Sequence, residues 1–405
     1  MPATHARTAG DIGAFVRSGE QLGNHGDAVD HAVGLREFVP LDGWSPLWTG
    51  LARVGGVLPP PVQPDADPWA LLRGREHPSW RGRADGRLVR TTGSRLRAAG
   101  PRFDVRVDAQ GYAWWYIDAT SDDERYGLTI IAFVGSVFSP YYKFSGRGDP
   151  DNHCAINVAL NGPRGGCWAM TERPRRSVSR SADHFAVGPS AVRWDGNALT
   201  IDIAEISAPI PYRVTGRVRV IPELLGDTAF MLDPAGRHRW HPVAPRARVE
   251  VEMTHPGVSW SGPGYFDSNF GDEPLETGFT DWHWSRAHLK DRVAVMYEGT
   301  RRDGTPFDLA LQMDRQGNWD DVCQPPVAPL PRSNWLVERR TRADRGHDPR
   351  VLKTWIDAPF YARSALATRL YGEDVRAVHE SLSLARFRSP VVQSMLPYRM
   401  PRAFR

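Results

Sequence analysis

The chain is predicted to be all-β, with two tandem antiparallel β-barrel domains behind a weakly ordered N-terminal extension. Three observations carry that prediction. Apolar and polar residues alternate with the period of a strand on either side of repeated Gly-centred turns. Convincing helical periodicity is nearly absent before residue 350. The strand-forming material also exceeds what one small barrel needs, and many short strands at such spacing argue for a sandwich or barrel.

Residues 1–100 are poor in pattern: Gly and Pro are frequent, LPPPVQPDADP interrupts any element, and Arg recurs from Arg73 to Arg102. They read as the extension. From Phe103 the texture changes, and FDVRVDAQGYAWWYIDATSDD predicts a hairpin about a Gly turn. LTIIAFVGSVFSPYY (128–142) reads as buried strand material. Further hairpins are expected around Asp195 and Gly196, around Gly236, and around Gly304 and Gly317. GPRGGC and SGRGDP lie between strands and read as turns. The loop from Asn269 to Phe279 separates two strand-rich halves, giving domains at 101–272 and 273–390, with a basic, apolar tail at 391–405.

Composition bounds the function. In 405 residues, 41% hydrophobic content and 15 Trp indicate a globular chain with a well-filled core. A net charge of +4, with 51 Lys and Arg against 47 Asp and Glu, is too small to argue for nucleic acid but is compatible with an anionic membrane surface. Cys154, Cys167 and Cys323 have neither zinc-site nor disulfide-framework spacing, which fits a reduced cytoplasmic setting. No run approaches the ~20 apolar residues of a membrane-spanning helix, so the protein is expected to be soluble or peripherally membrane-associated. In the tail, Arg386, Arg388, Arg399, Arg402 and Arg405 interleave with Val391, Val392, Met395, Leu396 and Phe404. Such a segment suits an anionic leaflet or a strap packed over the barrel.

Two short runs concentrate chemistry. Strand alternation puts His238 and Trp240 of HRWH on one face, and Tyr265, Asp267 and Asn269 of YFDSN on one face. If both faces meet, a carboxyl group stands among an indole, a phenol and an imidazole. Desolvation keeps such a carboxyl protonated and able to act as a general acid. Aromatic faces attract a desolvated cation by ~0.5–2 kcal/mol each. Proton donor plus aromatic lining is what alkene protonation requires. From spacing alone the plainer reading leads: Asp267 as an Asx-turn residue, Tyr265 and Trp240 as core aromatics, and His238 as a satisfied buried histidine. Closely spaced His occur in DNHC, HRWH and WHWSRAH, but no HExxH and no convergent carboxylate set accompanies them, so no metal is predicted. GxSxG and GxGxxG in usable context are missing.

A family resemblance adds to this reading. YAWWYIDA (112–119), SDDERYGLTIIAFVGSVFSPYY (121–142), NHCAINVAL (152–160), WAMTER (168–173), GRHRWHP (236–242), GYFDSNFGDEPLE (264–276), WHWSRA (282–287) and VHESLSLARF (378–387) together resemble the carotenoid 1,2-hydratases, also called hydroxyneurosporene synthases. The resemblance runs from about Phe103 to Pro401 and is specific because many separate blocks agree in order. It does not reach the first hundred residues.

The resemblance implies a lyase that adds water, without cofactor, across the terminal C1–C2 double bond of acyclic carotenoids such as neurosporene and lycopene. It implies a lipocalin-like fold similar to tocopherol cyclase relatives. It places the family's functional His, Trp, Tyr and Asp on His238, Trp240, Tyr265 and Asp267. Asp267 is then expected to protonate C2, Trp240 and Tyr265 to stabilise the cation at C1, and His238 to hold the carboxyl or the attacking water. Asn269, Gly271 and Pro274 are expected to shape the loop behind the acid. A proton-initiated prenyl cyclase and a non-catalytic lipid carrier are the alternatives.

Overall fold

The computed structural model describes residues 100–403. The expected N-terminal extension, but for its last residue, lies outside the described residues, as do Phe404 and Arg405.

The first sheet starts with β1 (Tyr112–Thr120), β2 (Gly127–Val134), β3 (Ala155–Gly162) and β4 (Gly165–Met170). Four short or medium strands follow: β5 (Val178–Arg180), β6 (His184–Val187), β7 (Ser190–Trp194) and β8 (Leu199–Ile206). It closes with β9 (Arg213–Pro222), β10 (Phe230–Met231), β11 (His238–His255) and β12 (Val258–Gly271). The order across this 12-stranded sheet is β4-β3-β2-β1-β12-β11-β9-β8-β7-β6-β5, with β10 paired to β11.

The second sheet contains β13 (Phe279–His288), β14 (Val293–Arg301), β15 (Pro306–Met313) and β16 (Trp319–Asp321). After the separate ribbon β17 (Val327–Leu330) and β18 (Arg339–Arg342) come β19 (Arg350–Ala358), β20 (Tyr361–Leu370) and β21 (Glu373–Ser383). Its order is β16-β15-β14-β13-β21-β20-β19. Both sheets are curled and antiparallel, so the all-β organisation expected from the sequence is present.

Alternation along each strand decides which core a side chain joins. In β1, Trp115 and Ile117 enter a cluster made entirely from the first sheet and the segments around it, with Val249 and Phe266. Tyr112, Trp114 and Tyr116 face the other way, into a second cluster shared with Trp282 and Trp284 of β13 and Tyr297 of β14. The shared cluster is where the site lies.

The expected hairpins about Gly196, Gly236, Gly304 and Gly317 are all present. Other expectations change. The first arm of the FDVRVDAQGYAWWY hairpin is not a strand: Arg180 donates to the carbonyls of Phe103 and Val105 at 2.9 and 2.7 Å, and β12 pairs with the edge of β1 instead. LTIIAFVGSVFSPYY is strand only through Val134. Gly135 turns left-handed at φ 61°, and Ser139 caps helix α1 (Pro140–Phe144), accepting from the Tyr141 and Tyr142 amides. The loop expected from Asn269 begins later, because Asn269 to Gly271 pair with both β1 and β11. Beyond it, α2 (Leu275–Gly278) leads into β13.

After β21 the chain forms α3 (Leu384–Phe387) and α4 (Pro390–Met395). Val392, Leu396 and Met400 are buried in the shared cluster, and Arg402 pairs with Glu172 at the far side. The described part of the tail is therefore a strap, while Val391, Met395 and Tyr398 remain exposed.

Candidate active site

Antiparallel pairing of β11 with β12 brings the two runs together: Trp240 is opposite Asn269 and His241 opposite Ser268. With period two, Tyr265, Asp267 and Asn269 leave β12 on the face away from the Phe266 core. That face is covered by the second sheet, so the aromatic box is assembled between two sheets and not inside one barrel.

The Asp267 side chain is 4% exposed. Its Oδ2 accepts from Trp240 Nε1 at 2.8 Å and from the Tyr265 hydroxyl at 2.8 Å. Its Oδ1 is buried and has no hydrogen-bond partner among the described residues. Burial pushes the carboxyl up to about 8, against the two donors, which favour the ionised form; the charges of Glu380 and Asp118 push the same way as burial. Burial, then the Asp267 charge, hold the Tyr265 phenol well above its usual value, so it stays a donor.

The second sheet supplies walls that sequence reasoning did not assign. Trp284 lies 5.1 Å from the Tyr265 ring and 5.7 Å from Tyr116, and Tyr297 packs edge-on to Trp240 at 5.8 Å. A signal for part of this was available: Trp282, Trp284 and Arg286 alternate in WHWSRA just as Tyr112, Trp114, Tyr116 and Asp118 alternate in YAWWYIDA. Each stripe of aromatics ends in a charge, and the two charges meet.

Arg286 donates through Nε to both Asp118 oxygens at 3.0 and 3.1 Å, and through Nη2 as well. Arg363 lies 3.8 Å from Asp118 and 3.5 Å from Glu380. The Tyr116 hydroxyl is 2.7 Å from Glu380 and 3.1 Å from Asp118. Two guanidiniums thus balance two carboxylates, and Asp267, the third carboxyl of the region, touches neither guanidinium. Burial raises Glu380 as well, but there Arg363 and Tyr116 oppose it; at Asp267 no guanidinium offsets the cost of burying the charged form.

His238 takes a different place from the one expected for it. Its Nδ1 meets the Tyr112 hydroxyl at 3.0 Å and its Nε2 meets Glu273 at 3.3 Å, so both ring nitrogens are committed away from the Asp267 carboxyl. The bond from His238 holds Glu273 below the usual carboxylate range. A Cβ on Gly278 would stand 2.5 Å from His238 Nε2, so glycine there is required for the ring to seat. His238 ties the start of β11 to the chain that links the sheets.

Among the described residues no group of His, Cys, Asp and Glu is placed to hold a metal ion, and no helix is long and apolar enough to cross a membrane.

The chain is similar to known proteins along most of its length. The family model for the carotenoid hydratase CrtC matches residues 130–405. The chain is 49% identical over 381 residues to the acyclic carotenoid 1,2-hydratase of Thiocapsa roseopersicina, covering 93% of this chain and 94% of that protein. It is 47% identical to the acyclic carotenoid 1,2-hydratase of Rubrivivax gelatinosus, covering 92% and 93%. Alignments of that length extend into the first hundred residues, beyond the blocks that carry the resemblance in the sequence. Kievitone hydratase from Nectria haematococca, a solved structure, is similar with a TM-score of 0.42 at 9% identity, covering 68% of this chain and 89% of that one. On the family model and on the two close relatives, the chain belongs to the acyclic carotenoid 1,2-hydratases.

Proposed function

We propose that Asp267 is the general acid of carotenoid hydration, with neurosporene and lycopene as substrates. The observation that carries this is the division of labour within one carboxyl group: both donors sit on Oδ2, while buried Oδ1 is bare and the group is biased toward its protonated form.

The proton on Oδ1 goes to C2 of the terminal alkene. The π pair forms the C2–H bond and leaves a tertiary cation at C1. Trp240, Tyr265, Trp284 and Tyr297 present aromatic surface to that cation, each worth ~0.5–2 kcal/mol in a desolvated site. The carboxylate formed is stabilised at once by the Trp240 and Tyr265 donors, which are already in place and need no reorganisation. A water oxygen then adds to C1, and its surplus proton returns to Asp267. His238 acts as a positioning residue through Tyr112 and Glu273.

A C40 polyene is about as long as a bilayer's hydrocarbon core is thick, ~30 Å, so only one end enters the box. Exposed Phe144, Val391, Met395 and Tyr398, with the basic Lys143, Arg386 and Arg388 close to them along the chain, support a peripheral contact with an anionic leaflet on the cytoplasmic side. Incubation with lycopene and neurosporene tests the whole reading by product mass. A product heavier by one water per reacted end is expected. A product of unchanged mass indicates cyclisation, and substrate recovered unchanged indicates a carrier; either result refutes the hydratase reading.

A further inference from the structure

We propose that Asn269 holds the nucleophilic water; the inference rests on the hydratase reading above. The sequence placed Asn269 behind the acid as a loop-shaping residue. Instead it lies within β12, two residues after Asp267, and is 3% exposed. It is paired across the ladder with Trp240 on one side and Trp114 on the other, so its backbone is fully committed to the sheet. Neither a turn nor a cap explains an amide side chain at this position.

The side chain has its own anomaly. Asn269 Nδ2 is buried and finds no hydrogen-bond partner among the described residues. Leaving such a donor unmatched is costly, and a sheet position next to Trp and Phe would avoid that cost with any apolar residue. The Asn269 side chain leans toward the Tyr297 phenol, which feels it as a weak donor alongside the Asp267 charge, but the approach falls short of hydrogen-bond geometry and leaves Nδ2 unsatisfied. Two buried polar atoms on one strand face therefore lack partners: Asp267 Oδ1, a proton donor when the acid is neutral, and Asn269 Nδ2.

Their spacing suits a bridging water. Residues two apart on a strand are separated by about 6.6 Å. Two hydrogen bonds of ~2.8 Å to one oxygen reach ~5.6 Å at most, so a bridge needs the two side-chain tips to lean together by at least about 1 Å. A buried water needs two to four polar partners; Asn269, Asp267 and Tyr297 provide three.

Chemically the arrangement closes the cycle. The water accepts from Asn269 Nδ2 with one lone pair and attacks C1 with the other, forming the C–O bond. One of its protons passes to the Asp267 carboxylate left by the first step, which restores the acid. Atoms and charge balance with no other reagent.

The test separates capture from protonation. Without a held water the cation forms but loses a proton again, returning alkene that carries solvent hydrogen. In deuterium oxide, Asn269→Ala and Asn269→Leu are expected to lower hydration of lycopene about 100-fold while recovered lycopene gains deuterium, so the exchange-to-hydration ratio rises at least tenfold. Asn269→Ser, with a hydroxyl that can still hold water, is expected to recover part of the hydration and serves as the readout if the larger changes unfold the protein. Hydration and exchange falling together in all three variants, or hydration persisting in Asn269→Leu, would overturn the proposal. Failure of the underlying reading looks different: Asp267→Asn would then retain hydration.

Discussion

Holding Asp267 neutral inside the protein costs stability, and removing the acid should return it. The carboxyl is pushed from 3.8 to about 8, chiefly by burial. Below pH ~4 the group is protonated in folded and unfolded chains alike and costs nothing. As pH rises toward about 8 the unfolded chain ionises and the folded one does not, so folding is penalised by about 1.4 kcal/mol per pH unit. At pH 7 the penalty reaches roughly 4 kcal/mol, an upper figure that residual burial in the unfolded chain reduces. Asp267→Asn keeps the shape and presents one amide oxygen to both the Trp240 and Tyr265 donors. The variant should be inactive yet more stable than the parent, with a gap that is small at pH 4, grows to pH 8 and then levels. Urea unfolding of both proteins at half-unit pH steps measures this. A gap independent of pH, or one that shrinks as pH rises, would refute the claim that Asp267 is neutral in the native state.

Other outcomes follow from the same contacts. Trp240→Phe keeps an aromatic face and should slow hydration less than Trp240→Ala; equal losses in kcat would point to packing alone. Because Trp240 Nε1 favours the carboxylate, the Phe variant should also move the alkaline limb of the kcat/KM profile above its parental position near pH 8. Glu380→Gln removes a charge that raises the Asp267 value, so its alkaline limb should shift acidward by ~0.5–1 unit. Gly278→Val would drive a side chain into His238 and should lower stability by ~1–3 kcal/mol in urea titration. Flotation with vesicles containing anionic lipid should recover the protein, and Tyr398→Ser with Val391→Ser should weaken recovery without altering turnover of detergent-dispersed substrate.

The sequence made the near wall of the site legible and left the far wall hidden, for a physical reason. Alternation is a local property, so HRWH and YFDSN disclosed that His238 and Trp240 share a face and that Tyr265 and Asp267 do too. It could not say that Trp284 and Tyr297, from a different sheet, complete the box, because their approach depends on how one curled sheet covers another. His238 shows the limit within a single run: it shares the face of Trp240 yet turns to Tyr112 and Glu273, contacts set by β1 and by the link to β13. Asn269 reads as the start of a loop because Gly271 and Pro274 follow it, whereas pairing with β1 and β11 continues through Gly271. The FDVRVDA segment failed for a related reason, since its carbonyls were taken by one arginine 75 residues or more away and not by a neighbouring strand.

The measurement that tests the central claim most directly is conversion of lycopene by the parent and by Asp267→Asn in oxygen-18 water. The parent is expected to place one labelled oxygen at each hydrated C1, and the variant to form that product at least ~1000-fold more slowly while remaining folded. Near-parental formation of labelled alcohol by Asp267→Asn would contradict the assignment of Asp267 as the acid.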